Sequence, residues 1–153
     1  MRYLRYAADG WGVGELVLDG EVLVHHESPR GAVHGNGLLR DTPLTERLRA
    51  YFAGARDDFH DVELDLDGLT PFQHAVCSAL RAIPYGEVVT YGELASLAGH
   101  PGAQRAVGTF CARNRFSIVV PCHRVVAADG LGSYGSLGVA YKRRLLELER
   151  AAL

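Results

Sequence analysis

Two four-residue segments, residues 70–73 (TPFQ) and 90–93 (TYGE), mark the starts of two helices in this 153-residue chain. In each segment a threonine precedes a Gln or Glu by three residues, which is the pattern of a helix-capping box. Pro71 strengthens the first start, because proline is favoured at the first position of a helix. Apolar residues at helical spacing follow it: Phe72, Val76, Ala79, Leu80 and Ile83. The pattern therefore predicts one helix from Pro71 and a second, short helix from Tyr91.

A tight break at residues 99–102 (GHPG) separates that second helix from a third predicted helix at residues 103–113. Two short helices joined by a turn that contains glycine have the outline of a helix-turn-helix. Many helical hairpins share this outline and bind nothing, so the outline alone leaves the question open. Downstream, the sequence predicts short strands or extended segments at 116–121 and 124–128. It also predicts a mobile loop at 130–138 and an amphipathic helix at 141–153.

The N-terminal half of the chain has a different pattern of apolar and polar residues. Residues 13–26 alternate between apolar and polar side chains around Asp19-Gly20, which predicts a two-residue β-hairpin. Residues 28–42 are rich in Gly, Pro and polar side chains and are predicted to form a loop.

Residues 43–54 predict a helix that ends at Gly54, and its apolar face consists of Leu44, Leu48, Tyr51 and Phe52. Residues 57–69 alternate again, as expected of a strand or an extended linker. We place a domain boundary near Leu69, which divides the chain into residues 1–69 and 70–153.

Charge is unevenly distributed along the chain. Residues 1–70 carry 7 Lys/Arg and 13 Asp/Glu, whereas residues 71–153 carry 9 and 5. No acidic residue lies between Leu94 and Ala128, a stretch that contains four arginines: Arg105, Arg113, Arg115 and Arg124. A local basic surface is a minimum requirement for binding a polyanion, but chance clustering on a solvated surface produces the same pattern.

The bulk composition excludes several classes of protein. The apolar runs are too short to span a bilayer, and the N-terminal residues lack the pattern of a secretory signal. Three cysteines without a CxxC motif argue against a disulfide framework and suggest a reducing compartment, so a cytoplasmic location is expected. The cysteines also lack the short paired spacing of a structural zinc site, and no phosphate-binding glycine loop is present.

Cys122 lies between two apolar runs and beside His123 and Arg124. A cysteine nucleophile needs a base or a cation that favours its thiolate, but neighbouring residues on a strand point to opposite faces. A contact between Cys122 and His123 therefore requires a turn or a bridging water. On residue chemistry alone Cys122 fits a core residue better than a nucleophile, and Cys77 and Cys111 are predicted to be structural.

Taken together, residues from Thr70 to Glu149 resemble the O6-alkylguanine-DNA alkyltransferase family. The resemblance rests on four segments: residues 72–99, residues 102–108 (GAQRAVG), residues 118–126 (IVVPCHRVV) and residues 142–149 (KRRLLELE). It implies an α+β fold, with a small N-terminal strand-hairpin and helix subdomain and a mainly helical C-terminal domain. The latter would contain a winged helix-turn-helix-like DNA-binding unit.

The resemblance also implies the chemistry. Cys122 would take the alkyl group from O6 of a guanine swung out of duplex DNA, in a single-turnover reaction, with His123 as a base acting through a water. Glu149 would orient His123, and Tyr91 would donate a hydrogen bond to the base. The residues implied in DNA binding are Gln104, Arg105 (a finger that fills the base stack), Ala106, Gly108, Arg113, Asn114 and Arg124. The residues implied in the base pocket are Val125, Tyr134, Gly135 and Ser136.

The implied partner is double-stranded DNA containing O6-alkylguanine, bound by a monomer without cofactor, metal or membrane. The sequence departs from the family pattern at several positions: Gln104 replaces a common alanine, Arg115 a usual proline, and Cys77 a frequent tryptophan, and the 135–141 loop is altered. Three alternatives remain open at this level: a lesion-binding protein without chemistry, in which the nucleophile is usually replaced, a winged-helix DNA-binding protein, and a cysteine hydrolase.

Overall fold

The computed structural model describes residues 1–31 and 38–151 and divides into two compact units. Unit 1 comprises Met1–Asp65 together with Arg115–Ser117, and unit 2 comprises Leu66–Asn114 together with Ile118–Leu153. The boundary therefore follows Asp65 rather than the predicted Leu69, and the short segment 115–117 was not expected in unit 1.

A four-stranded sheet forms the centre of unit 1. Its strands are β1 (Arg2–Ala8), β2 (Gly12–Asp19), β3 (Val22–Arg30) and β4 (Leu38–Leu39), in the spatial order β3-β2-β1-β4. β4 runs parallel to β1, whereas the other neighbours are antiparallel. The predicted hairpin is confirmed, with its turn at Gly20-Glu21, one residue later than expected.

Strand β1 was not predicted. The predicted loop at 28–42 is wrong at residues 28–30, where β3 continues to Arg30, and at residues 38 and 39, which form β4, whereas residues 40–42 are a loop as predicted. The two strand segments within the predicted loop have the same cause. Pairing of β3 with β2 and of β4 with β1 supplies backbone hydrogen bonds to residues whose local composition favours turns. The part of this prediction at residues 32–37 lies outside the described residues.

Helix α1 (Pro43–Phe52) closes one side of unit 1 and confirms the helix predicted there. Thr42 and Thr45 form a reciprocal capping box at its start, and Leu48, Tyr51 and Phe52 are buried. Trp11 Nε1 donates a hydrogen bond of 3.0 Å to the Phe52 carbonyl, which anchors the last turn of the helix to the loop after β1.

His26 on β3 joins the sheet to residues 115–117 of the same unit. Its Nε2 lies 2.6 Å from the Tyr6 hydroxyl and its Nδ1 lies 2.6 Å from the Ser117 carbonyl oxygen. The backbone N–H of His26 donates to the Arg115 carbonyl at 2.8 Å. Tyr6 reaches His26 across Gly14, where a Cβ atom would lie only 2.4 Å from the Tyr6 ring. This network accounts for the membership of residues 115–117 in unit 1.

Unit 2 is mainly helical. Its helices are α2 (Pro71–Arg81), α3 (Tyr91–Leu97), α4 (Gln104–Ala112) and α5 (Val139–Leu148), and a parallel pair of two-residue strands, β5 (Val89–Thr90) and β6 (Val125–Val126), accompanies them. Both predicted capping boxes are present, at Thr70 and Thr90. The mixed fold, with a small sheet in the first half and helices in the second, confirms the predicted fold class. No helix in the described part of the chain is long and apolar enough to cross a membrane.

The segment before Cys122 differs from its predicted extended form. Residues 117–120 form consecutive turns, and Ile118 adopts a φ of 74°, which is unusual for a β-branched residue. The Val120 carbonyl explains the departure, because it accepts hydrogen bonds from both Asn114 Nδ2 and the Cys122 N–H, at 2.8 Å each. These bonds fold the segment back on itself and override the strand propensity of Ile118, Val119 and Val120.

We expect the protein to lose stability as the pH falls from about 6.5 to about 4, because of the buried His26 in unit 1. Burial lowers the pKa of His26 to about 4, against the raising effect of its hydrogen bond to Ser117. In this range the unfolded chain binds a proton at His26 and the folded chain does not. The free energy of unfolding therefore decreases as the pH is lowered, by up to about 3 kcal/mol. Urea denaturation at a series of pH values measures this loss.

The matched variant is His26→Gln, which cannot titrate. Its free energy of unfolding should fall less steeply over the same pH range than that of the unaltered protein. Equal pH slopes for the two proteins would contradict this role of His26.

Candidate active site

Cys122 begins a short 3₁₀ turn, Cys122–Arg124, in unit 2. Pro121 precedes it, and the backbone N–H of Cys122 donates a hydrogen bond to the Val120 carbonyl. The side chain is 3% exposed. Because the backbone turns here, the strand geometry that would separate Cys122 from His123 does not apply.

His123, Arg124 and Glu149 form a buried network beside Cys122. His123 Nε2 lies 2.7 Å from Glu149 Oε2. Arg124 binds the same carboxylate with two nitrogens, Nε at 2.9 Å from Oε1 and Nη2 at 3.0 Å from Oε2. The third guanidinium nitrogen, Nη1, donates to the Ile83 carbonyl at 2.7 Å. The Gly86 N–H donates to Glu149 Oε1 at 3.1 Å, so the carboxylate has partners on both oxygens.

The electrostatics of this network fix its protonation states. Burial opposes the charge on Glu149, but the hydrogen bonds and charges of His123 and Arg124 outweigh burial and hold its pKa well below its usual range. Burial lowers the pKa of His123 despite the contact with Glu149. At neutral pH the network therefore contains Glu149 as an anion, Arg124 as a cation and His123 as a neutral imidazole.

The thiol of Cys122 is held in its protonated form. Burial raises its pKa well above the ordinary value, and contact with Cys111 raises it further. The Asn114 amide, which also bonds to Val120, opposes these effects as a hydrogen-bond partner of the sulfur. A base must therefore remove the proton of Cys122 before the sulfur can act as a nucleophile.

Tyr91 and Lys142 lie on the same side of unit 2 as Cys122. The Tyr91 hydroxyl is a hydrogen-bond partner of Ser133. Burial raises the pKa of Tyr91, and the nearby thiols raise it to a lesser extent. Lys142 Nζ donates to the Ser133 carbonyl at 3.1 Å and lies 5.6 Å from the centre of the Tyr91 ring. Burial lowers the pKa of Lys142 to about 8, against the opposite effect of Cys111 and Cys122.

The residues expected to line a base pocket lie close to these groups. Val125 is fully buried and pairs with Val89. The loop before α5 carries Tyr134, which stacks on Tyr141 with ring centres 6.2 Å apart, and the exposed residues Gly135 and Ser136. A Cβ atom on Gly135 would lie 3.9 Å from the Ala112 carbonyl, so this loop approaches the end of α4.

Helix α4 presents a small-residue and basic surface to solvent. Gln104, Arg105 and Ala106 are exposed in its first turn, whereas Val107 is fully buried and anchors the helix. Gly108 is half-buried, and Arg113 is exposed at the helix end. The side chains predicted to contact DNA from this helix are therefore accessible.

Arg124 is the exception among the predicted DNA-binding residues, and that prediction is wrong. Its side chain is 4% exposed, and Glu149 and Ile83 occupy its donors. A guanidinium committed to a buried carboxylate cannot bind a phosphate without leaving that carboxylate uncompensated.

Two residues near Cys122, Lys142 and Cys111, were not predicted from the sequence to belong to the site. Lys142 is buried together with Leu145, Leu146 and Glu149, at the spacing i, i+3, i+4 and i+7 of one helix face. That spacing is visible in the sequence and could have identified Lys142 as an inward-facing lysine. Cys111 likewise follows the buried Val107 by one helical turn. Within the described residues, no group of three or more His, Cys, Asp or Glu side chains is placed to hold a metal ion.

The arrangement can activate a thiol. Because His123 Nε2 donates its hydrogen to Glu149, Nδ1 carries the basic lone pair. The anionic Glu149 stabilises the imidazolium that forms when Nδ1 accepts a proton. Cys122 thus has a base as its neighbour, and the base has a carboxylate that orients it.

Comparison with known proteins places these residues in context. The family model described as "6-O-methylguanine DNA methyltransferase, DNA binding domain" matches residues 71–151. The methylated-DNA–protein-cysteine methyltransferase of Mycobacterium tuberculosis is 54% identical over 107 residues, which cover 69% of this chain and 63% of that protein. The chain thus spans slightly less than two thirds of the length of that relative.

Two further comparisons extend over nearly the whole chain. The methylated-DNA–protein-cysteine methyltransferase of Mycobacterium leprae is 53% identical over 149 residues, which cover 90% of this chain and 87% of that protein. The crystal structure of Mycobacterium tuberculosis OGT in complex with DNA superposes with a TM-score of 0.80 at 41% identity, and it covers 98% of this chain and 93% of that one.

Replacement of Arg124 by methionine should destabilise the protein by about 3–5 kcal/mol, because it leaves the buried carboxylate of Glu149 without its cation. Chemical denaturation at neutral pH measures the change. The matched control is Arg143→Met on the exposed face of α5, which should change stability by no more than about 0.5 kcal/mol. Similar stabilities for the two variants would contradict the structural role of Arg124.

Proposed function

This chain belongs to the 6-O-methylguanine DNA methyltransferase family, and we propose that it repairs O6-alkylguanine, mainly O6-methylguanine, in duplex DNA by direct transfer of the alkyl group to its own Cys122. The observation that carries the proposal is the buried thiol of Cys122 next to a histidine that Glu149 holds in its basic tautomer. The reaction consumes the protein, because the product is a stable thioether.

The first step is removal of the proton from Cys122. The raised pKa of this thiol means that it does not react as a preformed thiolate at neutral pH. His123 accepts the proton at Nδ1 through a bridging water, and Glu149 offsets the positive charge that develops on the ring. The hydrogen bond from Asn114 stabilises the thiolate as it forms.

The second step forms one bond and breaks one. The Cys122 sulfur attacks the alkyl carbon, the S–C bond forms, and the C–O6 bond breaks with its electron pair on guanine. Tyr91 donates a hydrogen bond to the departing base and stabilises its negative charge. Its raised pKa keeps the phenol protonated and thus able to donate.

Access to O6 requires the damaged nucleotide to leave the base stack, because the atom is enclosed in a duplex. We assign the winged helix-turn-helix-like unit around α3 and α4 to DNA binding, with Arg105 as the side chain that fills the gap. Its exposure in the first turn of α4 supports this assignment. Gln104, Ala106 and Gly108 would lie against the minor groove, where readout is degenerate and little sequence preference is expected.

The pocket for the displaced base would be lined by Val125 and by the loop residues Tyr134, Gly135 and Ser136. Lys142 supports this wall indirectly, because its bond to the Ser133 carbonyl holds the loop beside Tyr91. The loop is therefore the part of the site that would determine which alkyl groups fit.

Incubation with duplex DNA that contains O6-methylguanine should add one methyl group in place of a hydrogen on the peptide that contains Cys122, with at most one addition per molecule. Intact-mass and peptide mass spectrometry measure both quantities. Cys122→Ser is the control and should bind the same DNA without gaining mass. Binding by the unaltered protein with no gain in mass would favour a lesion-binding protein that performs no chemistry.

Arg105→Ala should slow alkyl transfer from duplex DNA by at least about tenfold, because it removes the group that stabilises the flipped state. Transfer from the free O6-methylguanine base should stay within about twofold, since no base has to leave a stack. Arg143→Ala, an exposed arginine on α5, serves as the matched control and should leave both rates unchanged. Equal losses on duplex DNA and free base would refute the role of Arg105 in base flipping.

A further inference from the structure

The loop at residues 132–138, which precedes α5, packs against two other parts of unit 2. Gly132 lies against Tyr91, since a Cβ atom at this glycine would be 3.1 Å from the Tyr91 ring. Further along the loop, a Cβ atom on Gly135 would be 3.9 Å from the Ala112 carbonyl at the end of α4. Tyr134 lies between these two glycines in the chain. The loop wall of the proposed base pocket therefore includes Tyr134.

Tyr134 is held both by its backbone and by its side chain. Its carbonyl accepts a hydrogen bond of 3.0 Å from the Gly138 N–H, which closes the turn before α5. Its ring stacks on Tyr141, with ring centres 6.2 Å apart and an angle of 24° between the ring planes. Tyr141 lies in the first turn of α5, and both tyrosines are half-buried. The stack therefore ties a side chain of the loop to a helix.

Tyr141 and its neighbour Lys142 support different parts of the loop. Lys142 is fully buried and bonds to the Ser133 carbonyl at 3.1 Å, so it fixes the loop backbone beside Tyr91. Consecutive side chains on a helix point about 100° apart, and Tyr141 instead contacts the ring of Tyr134. Tyr141 also ends the 135–141 stretch in which the sequence departs from the family pattern, and the resemblance assigns it no role.

We propose that Tyr141 is a positioning residue that determines specificity: it holds the ring of Tyr134 in place and so limits the size of the alkyl group that the site accepts. The proposal rests on the proposed function, because it concerns the adduct on the displaced guanine. A methyl group is the smallest adduct and requires no movement of the wall. A butyl group extends further and needs additional space.

The loop is the part of the pocket that can provide this space. Cys122 and Val125 are 3% and 0% exposed and are packed in the core of unit 2, whereas Gly135 and Ser136 are exposed. Close-packed interiors yield little, so a larger adduct displaces the loop rather than the core.

The stack determines how strongly the loop resists this displacement. For Tyr134 to move away from a larger adduct, its contact with Tyr141 has to break. Stacked aromatic pairs with centres less than about 7 Å apart contribute a free energy that corresponds to about a three- to tenfold change in rate. The stack therefore slows transfer of a larger adduct by up to this factor, and it does not slow transfer of a methyl group.

Transfer rates from two duplexes that differ only in the adduct test the proposal with the full-length protein. One duplex contains O6-methylguanine and the other O6-butylguanine, and alkylation of Cys122 is followed by mass spectrometry. Tyr141→Ala should raise the ratio of the butyl rate to the methyl rate by about three- to tenfold, through a faster butyl transfer. A general loss of stability would lower both rates together and leave the ratio unchanged. An unchanged or lower ratio would overturn the proposal.

Three further proteins separate the stack from other effects of Tyr141. Tyr141→Phe keeps the aromatic ring, so its ratio should stay within about twofold of that of the unaltered protein. Arg143→Ala, on the exposed face of α5, should leave the ratio unchanged. In a Tyr134→Leu background, Tyr141→Ala should shift the ratio by less than about twofold, because no stack remains to be broken. The full effect in that background would show that Tyr141 acts without Tyr134 and would overturn the proposal.

A binding measurement distinguishes this proposal from the proposed function. The Cys122→Ser protein lacks the alkyl acceptor, so its affinities for the two duplexes report the fit of the adduct alone. Adding Tyr141→Ala should raise its relative affinity for the O6-butylguanine duplex. That shift, in a protein whose Cys122 is never alkylated, would support the role of Tyr141 and refute alkyl transfer. Alkylation of Cys122 with both ratios unchanged would support alkyl transfer and refute the role of Tyr141.

Discussion

The buried carboxylate of Glu149 holds the centre of unit 2 together. It accepts hydrogen bonds from His123, from Arg124 and from the backbone N–H of Gly86, while Arg124 in turn bonds to the Ile83 carbonyl. One side chain after α5 thus fixes the end of α2, the turn that follows it and the turn that carries Cys122. Replacing such a network with apolar residues could preserve stability, but it would remove the group that sets the tautomer of His123.

A carboxylate beside a histidine can orient the ring, and it can also hold the ring as an imidazolium. This network keeps the first effect and prevents the second. If Glu149 faced His123 alone, the pair would tend to share a proton, and His123 would be held as an imidazolium that cannot act as a base. Arg124 prevents this, because it supplies the positive charge that Glu149 needs. Burial then keeps His123 neutral. The arginine that sequence reasoning directed toward DNA therefore keeps the histidine basic.

The elements that local sequence determines could be predicted, and those that depend on distant partners could not. Thr70 and Thr90 mark helix starts because a capping box involves only four consecutive residues. The turns after Ser117 could not be predicted, since their apolar, β-branched residues favour a strand and the Val120 carbonyl is satisfied by Asn114 and the Cys122 N–H. The burial of Arg124 was equally hidden, because its partner lies 25 residues away in sequence.

On the proposed function, the raised pKa of Cys122 suits a protein that reacts once. An enzyme with many turnovers gains from a preformed thiolate, because the sulfur is regenerated after each cycle. A sulfur that is consumed by its first electrophile is better kept protonated, since the thiolate is the reactive form. Burial raises the pKa of Cys122 and so keeps it as a thiol until an alkylguanine occupies the pocket.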